Sequence, residues 1–202
     1  ADAYSGYDVL YQQKPIVEVG CMAHMRRKFF EVAKAAGGHS HAEEVIELIG
    51  HLYGVERDAK SFAFYERYYY RKKYAKPYLK KLHRKLKTLK KQAVPNTPFD
   101  KAINYALNHW VALQRYLAEG CLNIDNNPAE RAIKPMVIGR KNYLFAGSHE
   151  GGKRDAVIYY LIETCTMNRV KPFEYLNDVL MAIPNTLQKN IRQLLPYNWK
   201  QQ

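Results

Sequence analysis

Residues able to do chemistry gather in a few short stretches of the sequence. The sharpest is Asp125-Asn126-Asn127-Pro128-Ala129-Glu130-Arg131. One reading is structural: Asn127 caps a helix, Pro128 takes its first position, and Glu130 at the third reaches back to the cap's backbone N–H. The other reading is chemical. The first turn of a helix can project a carboxylate into a site shared with other carboxylates. Magnesium, a hard cation, takes oxygen ligands of this kind in two-metal phosphoryl transfer. Arg131 and Lys134, one turn on, would then face a phosphate backbone. The residues alone leave both readings open.

Two further sites are weaker by themselves. Asp2, in Asp2-Ala3-Tyr4-Ser5-Gly6-Tyr7, reads as a solvated charge near a terminus. Cys21-x-x-His24 has a metal-like spacing but no second pair to close a tetrahedron, so it reads as structural. His24, just before Arg26 and Arg27, reads as a partly buried polar residue. The three cysteines (Cys21, Cys121, Cys165) lie far apart and are odd in number. That argues against a disulfide scaffold and against a cysteine-rich zinc site.

The charge is concentrated. The chain of 202 residues carries a net charge of +13. Between Arg67 and Lys91 stand twelve Lys and Arg and no Asp or Glu, and without that stretch the chain has 20 basic against 19 acidic residues. Like charges at i,i+4 repel, so such a surface is best understood with a polyanion to neutralise it, and nucleic acid is the commonest. A solvated helical face is the plainer alternative. Arg71, Lys72, Lys73, Lys80, Lys81, Arg84 and Lys85 are the candidate DNA contacts here. The interleaved Tyr68, Tyr69, Tyr70, Tyr74 and Tyr78 suit stacking on bases or burial in a core. Arg140 and Lys141, in a glycine-rich stretch from Gly139 to Gly152 read as a loop, are candidates for phosphate oxygens.

The elements that must position these residues are mainly helical. Ile16, Val17 and Val19 predict a short strand ending near Gly20. A helix follows from about Ala23 to Ala36, stopped at Gly37-Gly38. Glu43 to Tyr53 is amphipathic, Asp58 to Tyr74 is tyrosine-rich, and Pro77 predicts the start of a new helix. In that helix Leu79, Leu82, Leu86 and Leu89 form a narrow apolar seam. Phe99–Leu117, a short helix from Pro128, Ala156–Asn168 and Pro172–Met181 complete the helices. At 47% hydrophobic the chain can bury a sizeable core. No apolar run reaches membrane length and no signal-like segment opens the sequence. The expected setting is the cytoplasm, for a whole protein or a piece of one.

Several of these segments together resemble one family. Cys21-Met22-Ala23-His24-Met25-Arg26-Arg27-Lys28-Phe29, then Asp125 to Pro135, then Gly139-Arg140-Lys141-Asn142 with Leu144-Phe145-Ala146-Gly147-Ser148, are similar in order and spacing to bacterial insertion-sequence transposases of the IS66 family. Pro172–Leu180 and the Leu-Pro-x-x-Trp tail extend the resemblance. The region from about Gly37 to Thr97 matches in character more than in motif.

The resemblance implies a mainly α chain with a little β. It would form a truncated ribonuclease-H-like (retroviral-integrase-like) α/β core with a large helical insertion. Residues 1–36 would be the end of that core and 37–122 the insertion with its basic hairpin. Residues 123–184 would complete the catalytic domain, and 185–202 form a tail. Asp2 would be the second catalytic aspartate and Glu130 the terminal glutamate of a DDE triad, with Glu163 as fallback. Two Mg2+ (or Mn2+) ions, DNA as transposon ends and target, and self-association into a homo-oligomer follow as expectations. The first aspartate has no counterpart, so the resemblance implies a fragment inactive by itself. A non-catalytic helical DNA-binding protein is the rival reading, with Glu130 as a cap only.

Overall fold

The computed structural model describes residues 6, 8–13, 16–37, 40–143 and 146–199, with 8, 12, 13 and 140–143 described by backbone alone. Asp2 lies outside the described residues. The chain forms two compact units, Ala1–Pro128 and Ala129–Gln202.

The first unit is a helical bundle. After the short α1 (Asp8–Gln13), its principal helices are α2 (Met22–Ala36), α3 (His41–Asp58), α4 (Phe64–Gln92) and α5 (Pro98–Asn108). Helix α3 packs on α2 and α4, and α5 packs on the same two. Helix α2 buries Met22, Met25, Phe29 and Ala33, the three-and-four spacing of one helical face, and ends at Gly37 with φ 73°. Helix α3 opens with a backbone N–H of Ser40 donating to Glu43 Oε2 at 3.1 Å, and buries Val45, Leu48, Ile49, Leu52 and Val55. The expected seam of α4 is present, with Leu79, Leu82, Leu86 and Leu89 all buried.

Four local expectations are corrected. The Ile16–Gly20 stretch forms no strand, and none occurs among the described residues. A strand needs a partner for its backbone groups. Here the Gly20 N–H donates instead to Ala112 O at 2.8 Å, so the segment is tethered to a helix. Pro77 does not begin a helix; it lies within α4. The helix starts thirteen residues earlier, where Glu66 accepts the Ala63 N–H at 2.9 Å. Arg67 fixes that entry by donating to Ala59 O and Lys60 O. Pro77 forfeits one backbone hydrogen bond, and the buried leucines that follow outweigh it.

The expected Phe99–Leu117 helix is broken at His109 into α5 and α6 (Trp110–Gln114), with a 3-10 turn at Arg115–Leu117. Gly120 follows, and a β-carbon there would meet Phe64 O at 1.7 Å, so only glycine permits this approach to the start of α4. The Gly139–Gly152 stretch, where described, is largely helical. Helix α7 runs Asn127–Tyr143 and α8 begins at His149, within which Gly151 approaches Ala146 O more closely than any β-carbon could.

The second unit contains most of α7, α8 (His149–Met167) and α9 (Pro172–Ala182), followed by two 3-10 turns. Ser148 caps α8 by accepting the Gly151 N–H at 3.0 Å. Its small core holds Cys165, Tyr175 and Val179, with Trp199 edge-on to Tyr175 at 6.0 Å. No helix among the described residues is long and apolar enough to cross a membrane.

Candidate nucleic-acid interface and acidic turn

The turn that leads into α7 is built by side chains distant in sequence. Asp125 Oδ1 accepts the Asn127 N–H at 3.1 Å, and Asp125 Oδ2 accepts from Asn127 Nδ2 at 2.9 Å. Tyr53 of α3 donates its hydroxyl to the same carboxylate at 3.0 Å. Burial first, then the Asp125 charge, pushes the Tyr53 hydroxyl far above its ordinary range, so it remains a donor. The Asn126 N–H donates to Cys21 Sγ at 3.2 Å, and His24 Nδ1 lies 3.0 Å from the same sulfur. Cys21 is buried. Thus Cys21, His24, Tyr53 and Asp125 brace one turn. The contact of Tyr53 with Asp125 was not foreseen, because no local pattern links residues 72 positions apart.

Glu130 sits in the first turn of α7, with Arg131 beside it and Lys134 one turn on, both exposed. The Asp125 side chain, not that of Asn127, takes up the first of this helix's free N–H groups. Arg140 and Lys141 lie in the last turns of α7 by backbone, and their side chains lie outside the described residues. Glu163 is half-buried on α8.

The basic stretch divides into several populations. Arg71, expected among the DNA-facing cations, is fully buried and is withdrawn from that surface. Its guanidinium donates to Glu56 at 2.8 and 2.6 Å and to the carbonyls of Tyr116 and Glu119 at 3.0 Å each. A buried guanidinium needs this degree of satisfaction. Lys85 pairs with Glu44 of α3, whose carboxyl is held below its usual value first by Lys85 and then by His41. Lys81 and Arg84 line a hollow shared with Glu44 and Glu47, a surface of mixed sign.

Among the described residues, one groove is lined without acid. Lys72, Lys76 and Lys80 follow one another at four-residue steps and line a groove of about 330 Å³ with His83 and Trp110. Four residues of helix rise about 6 Å, the axial span of roughly two phosphates on one DNA strand. His83 stacks on Trp110 with ring centroids 4.5 Å apart, and burial, then Lys87, holds its pKa below the ordinary value. Lys73 is exposed next to the Tyr74 ring. Among the tyrosines, Tyr69 and Tyr74 are exposed, whereas Tyr78 stacks on His51 at 4.7 Å and Tyr70 packs against the core.

An acid-free lysine groove and a carboxylate at a helix start define the class only as a basic, mainly helical protein. Comparison with known proteins makes the class particular. The chain belongs to the IS66 transposase family: the model for "Transposase IS66 family" matches residues 1–154, and that for "IS66 C-terminal element" matches residues 161–197. It is 32% identical over 207 residues to the uncharacterized protein y4jD of Sinorhizobium fredii, covering 98% of this chain and 40% of that protein. To the uncharacterized protein y4hP of the same organism it is 31% identical over 215 residues, covering 99% of this chain and 39% of that protein. The chain thus spans about two fifths of the length of these relatives. No solved structure matches it significantly.

Proposed function

We propose that this chain is the C-terminal portion of a DDE transposase that cleaves and joins DNA strands by magnesium-dependent phosphoryl transfer. The observation that carries the reading is the transposase-family match over residues 1–154, a span that takes in Asp2, the basic α4 and Glu130. The position of Glu130 in the first turn of α7 supports it, since a helix start can project a carboxylate toward a shared site. The donor chemistry fits Mg2+ or Mn2+: Asp2 and Glu130 offer hard oxygens, whereas Cys21 and His24 offer sulfur and nitrogen and brace a turn. Asp2 and Glu130 would hold the ions together with an aspartate of the longer protein. When bound, two such ions activate the attacking water or 3′-hydroxyl and stabilise the leaving oxygen.

The chain's own cations then place the substrate. Lys72, Lys76 and Lys80 hold duplex phosphates along the α4 groove, while Arg131 and Lys134 hold the backbone near Glu130. Arg140 and Lys141 remain expected phosphate contacts in the same reading. A ribonuclease-H-like core, with residues 37–122 as its helical insertion, belongs to this reading, as do transposon ends and target DNA as partners.

The test uses a protein carrying this chain within the full length of its relatives, a transposon-end duplex and Mg2+. Strand cleavage is expected, and Glu130→Gln should reduce it to background while duplex binding is retained. Cleavage that survives Glu130→Gln but disappears with Glu163→Gln would move the third acid to α8. Duplex binding with no cleavage under any divalent ion would instead establish the non-catalytic DNA-binding protein.

A further inference from the structure

Gly50 lies in the middle of α3, where glycine costs a helix about 1 kcal/mol relative to alanine. Nothing comes within 4 Å of the position a β-carbon would take there, so no packing neighbour demands a glycine. The open space above it is a hollow of about 600 Å³ between α2 and α3. Arg26, Arg27 and Phe30 line it from α2, and Tyr53 and Arg57 from α3. Among the described residues, no carboxylate is within ion-pair distance of any of these three guanidinium groups. Phe30 is 50% exposed, with the Arg26 guanidinium 5.8 Å from its ring centroid. The Tyr53 hydroxyl is engaged by Asp125, which leaves its ring at the wall.

We propose that this hollow binds a single strand of DNA, with Arg27 and Arg57 on neighbouring phosphates and an unpaired base on Phe30 beside Arg26. Guanidinium groups grip phosphate oxygens through paired N–H donors, and three of them without a counter-ion leave a concentrated positive site. An exposed aromatic ring among cations is what single-strand binding requires, because a base in a duplex is already stacked and cannot reach it. The α4 groove differs on this point. Its one large aromatic, Trp110, is 8% exposed and stacked on His83, so that groove offers charge without a free stacking face. The missing side chain at Gly50 gives the strand room at the floor of the hollow. The inference rests on the DNA-processing reading, in which strand cleavage creates unpaired ends.

The test compares the 202-residue chain's affinity for an oligo(dT) of about ten nucleotides with that for a duplex of equal length, by fluorescence anisotropy. Gly50→Met fills the floor without altering charge and favours the helix. Together with the Arg27→Gln/Arg57→Gln pair, it is expected to weaken oligo(dT) binding about tenfold, with duplex affinity held within about twofold. The arginine pair should also flatten the logarithmic salt dependence by about 0.7 for each phosphate no longer neutralised. Phe30→Ala should cost at least about fivefold on the single strand. All these side chains are exposed, so circular dichroism should remain unchanged.

Oligo(dT) affinity that responds to the arginines but ignores Gly50→Met and Phe30→Ala reflects diffuse charge and overturns the hollow. Affinity unaffected by every one of these changes, yet lost on Lys72→Gln/Lys76→Gln/Lys80→Gln, overturns the hollow and leaves the DNA reading standing. Failure to bind either oligonucleotide overturns both.

Discussion

The two units satisfy their apolar residues very differently. Among the described residues, 22 buried side chains of the first, from α2 to the Asp125 turn, form one cluster, against three in the second unit. The second unit instead leaves Val157, Ile158 and Tyr160 exposed on α8, and Phe173, Leu180 and Met181 on α9, with Phe173 84% exposed. A helix that is apolar around much of its girth is built to be covered, whereas one with an apolar stripe can fold against its neighbours. The helices of the first unit are of the striped kind. The difference teaches where stability lies: the basic bundle carries its own core, and the unit bearing most of α7 has little internal packing to hold it.

The largest effect should come from the buried cation of the first unit. Arg71→Ala leaves Glu56, 16% exposed, without its guanidinium, and frees the carbonyls of Tyr116 and Glu119. A loss of about 3–5 kcal/mol is expected for breaking such a pair. The chain's two tryptophans divide between the units, so Trp110 reports the first and Trp199 the second. Urea unfolding followed in Trp199→Phe should show the loss at Trp110, and the Trp110→Phe background should show little change at Trp199. A double change, Arg71→Met with Glu56→Leu, should recover part of the loss. Equal shifts at both tryptophans would mean that the two units unfold as one.

The cysteines offer a second contrast, of middling size. Cys21 and Cys165 are both buried, one in each unit, while Cys121 is exposed. Burial raises the Cys165 thiol pKa, which further slows its reaction while folded. Cys121 should react with a thiol reagent at once. Cys165 should then react at least about tenfold faster than Cys21, because local opening is easier where the core is small. Mass spectrometry of the labelled peptides gives the order directly, and Cys21 reacting before Cys165 would reverse the comparison.

What could be read in the sequence follows the same division between local and distant causes. The leucine seam of α4, the Gly37 stop and the position of Glu130 at a helix start depend on neighbours three or four residues away, and each was legible. Arg71 was misread because its burial depends on Glu56 and on two carbonyls more than forty residues on. The Ile16–Val19 strand failed because β-propensity counts only where a partner strand exists. Pro77 misled because proline suits a first helical turn and is also tolerated on an exposed helix face when the flanking turns are well buried. At the acidic turn, Glu130 stood out by its motif. The Tyr53–Asp125 contact and the three-arginine hollow depend on how α2 and α3 meet, which no spacing within either helix reveals.

The smallest effect is a pH dependence that should again separate the units. In the first, Lys90 above all, helped by the Asn96 N–H and by Asn104, holds the Asp100 carboxyl below its usual value. A carboxyl depressed on folding contributes stability that is complete above the unfolded value of about 3.9 and is lost as pH falls through the lower folded value. In the second unit, Glu174 raises Lys171, and the lysine's contribution is lost as pH rises through its raised value. Acidification below about pH 4 should therefore weaken the Trp110 transition through Asp100, whereas alkali should weaken the Trp199 transition through Lys171. Asp100→Asn should remove that part of the acid slope at Trp110 while lowering the midpoint at neutral pH, since Asn cannot pair with Lys90 as a charge. An acid slope at Trp110 that is identical with and without the Asp100 carboxyl would assign the sensitivity to another group, with the exposed Glu44–Lys85 pair next in line.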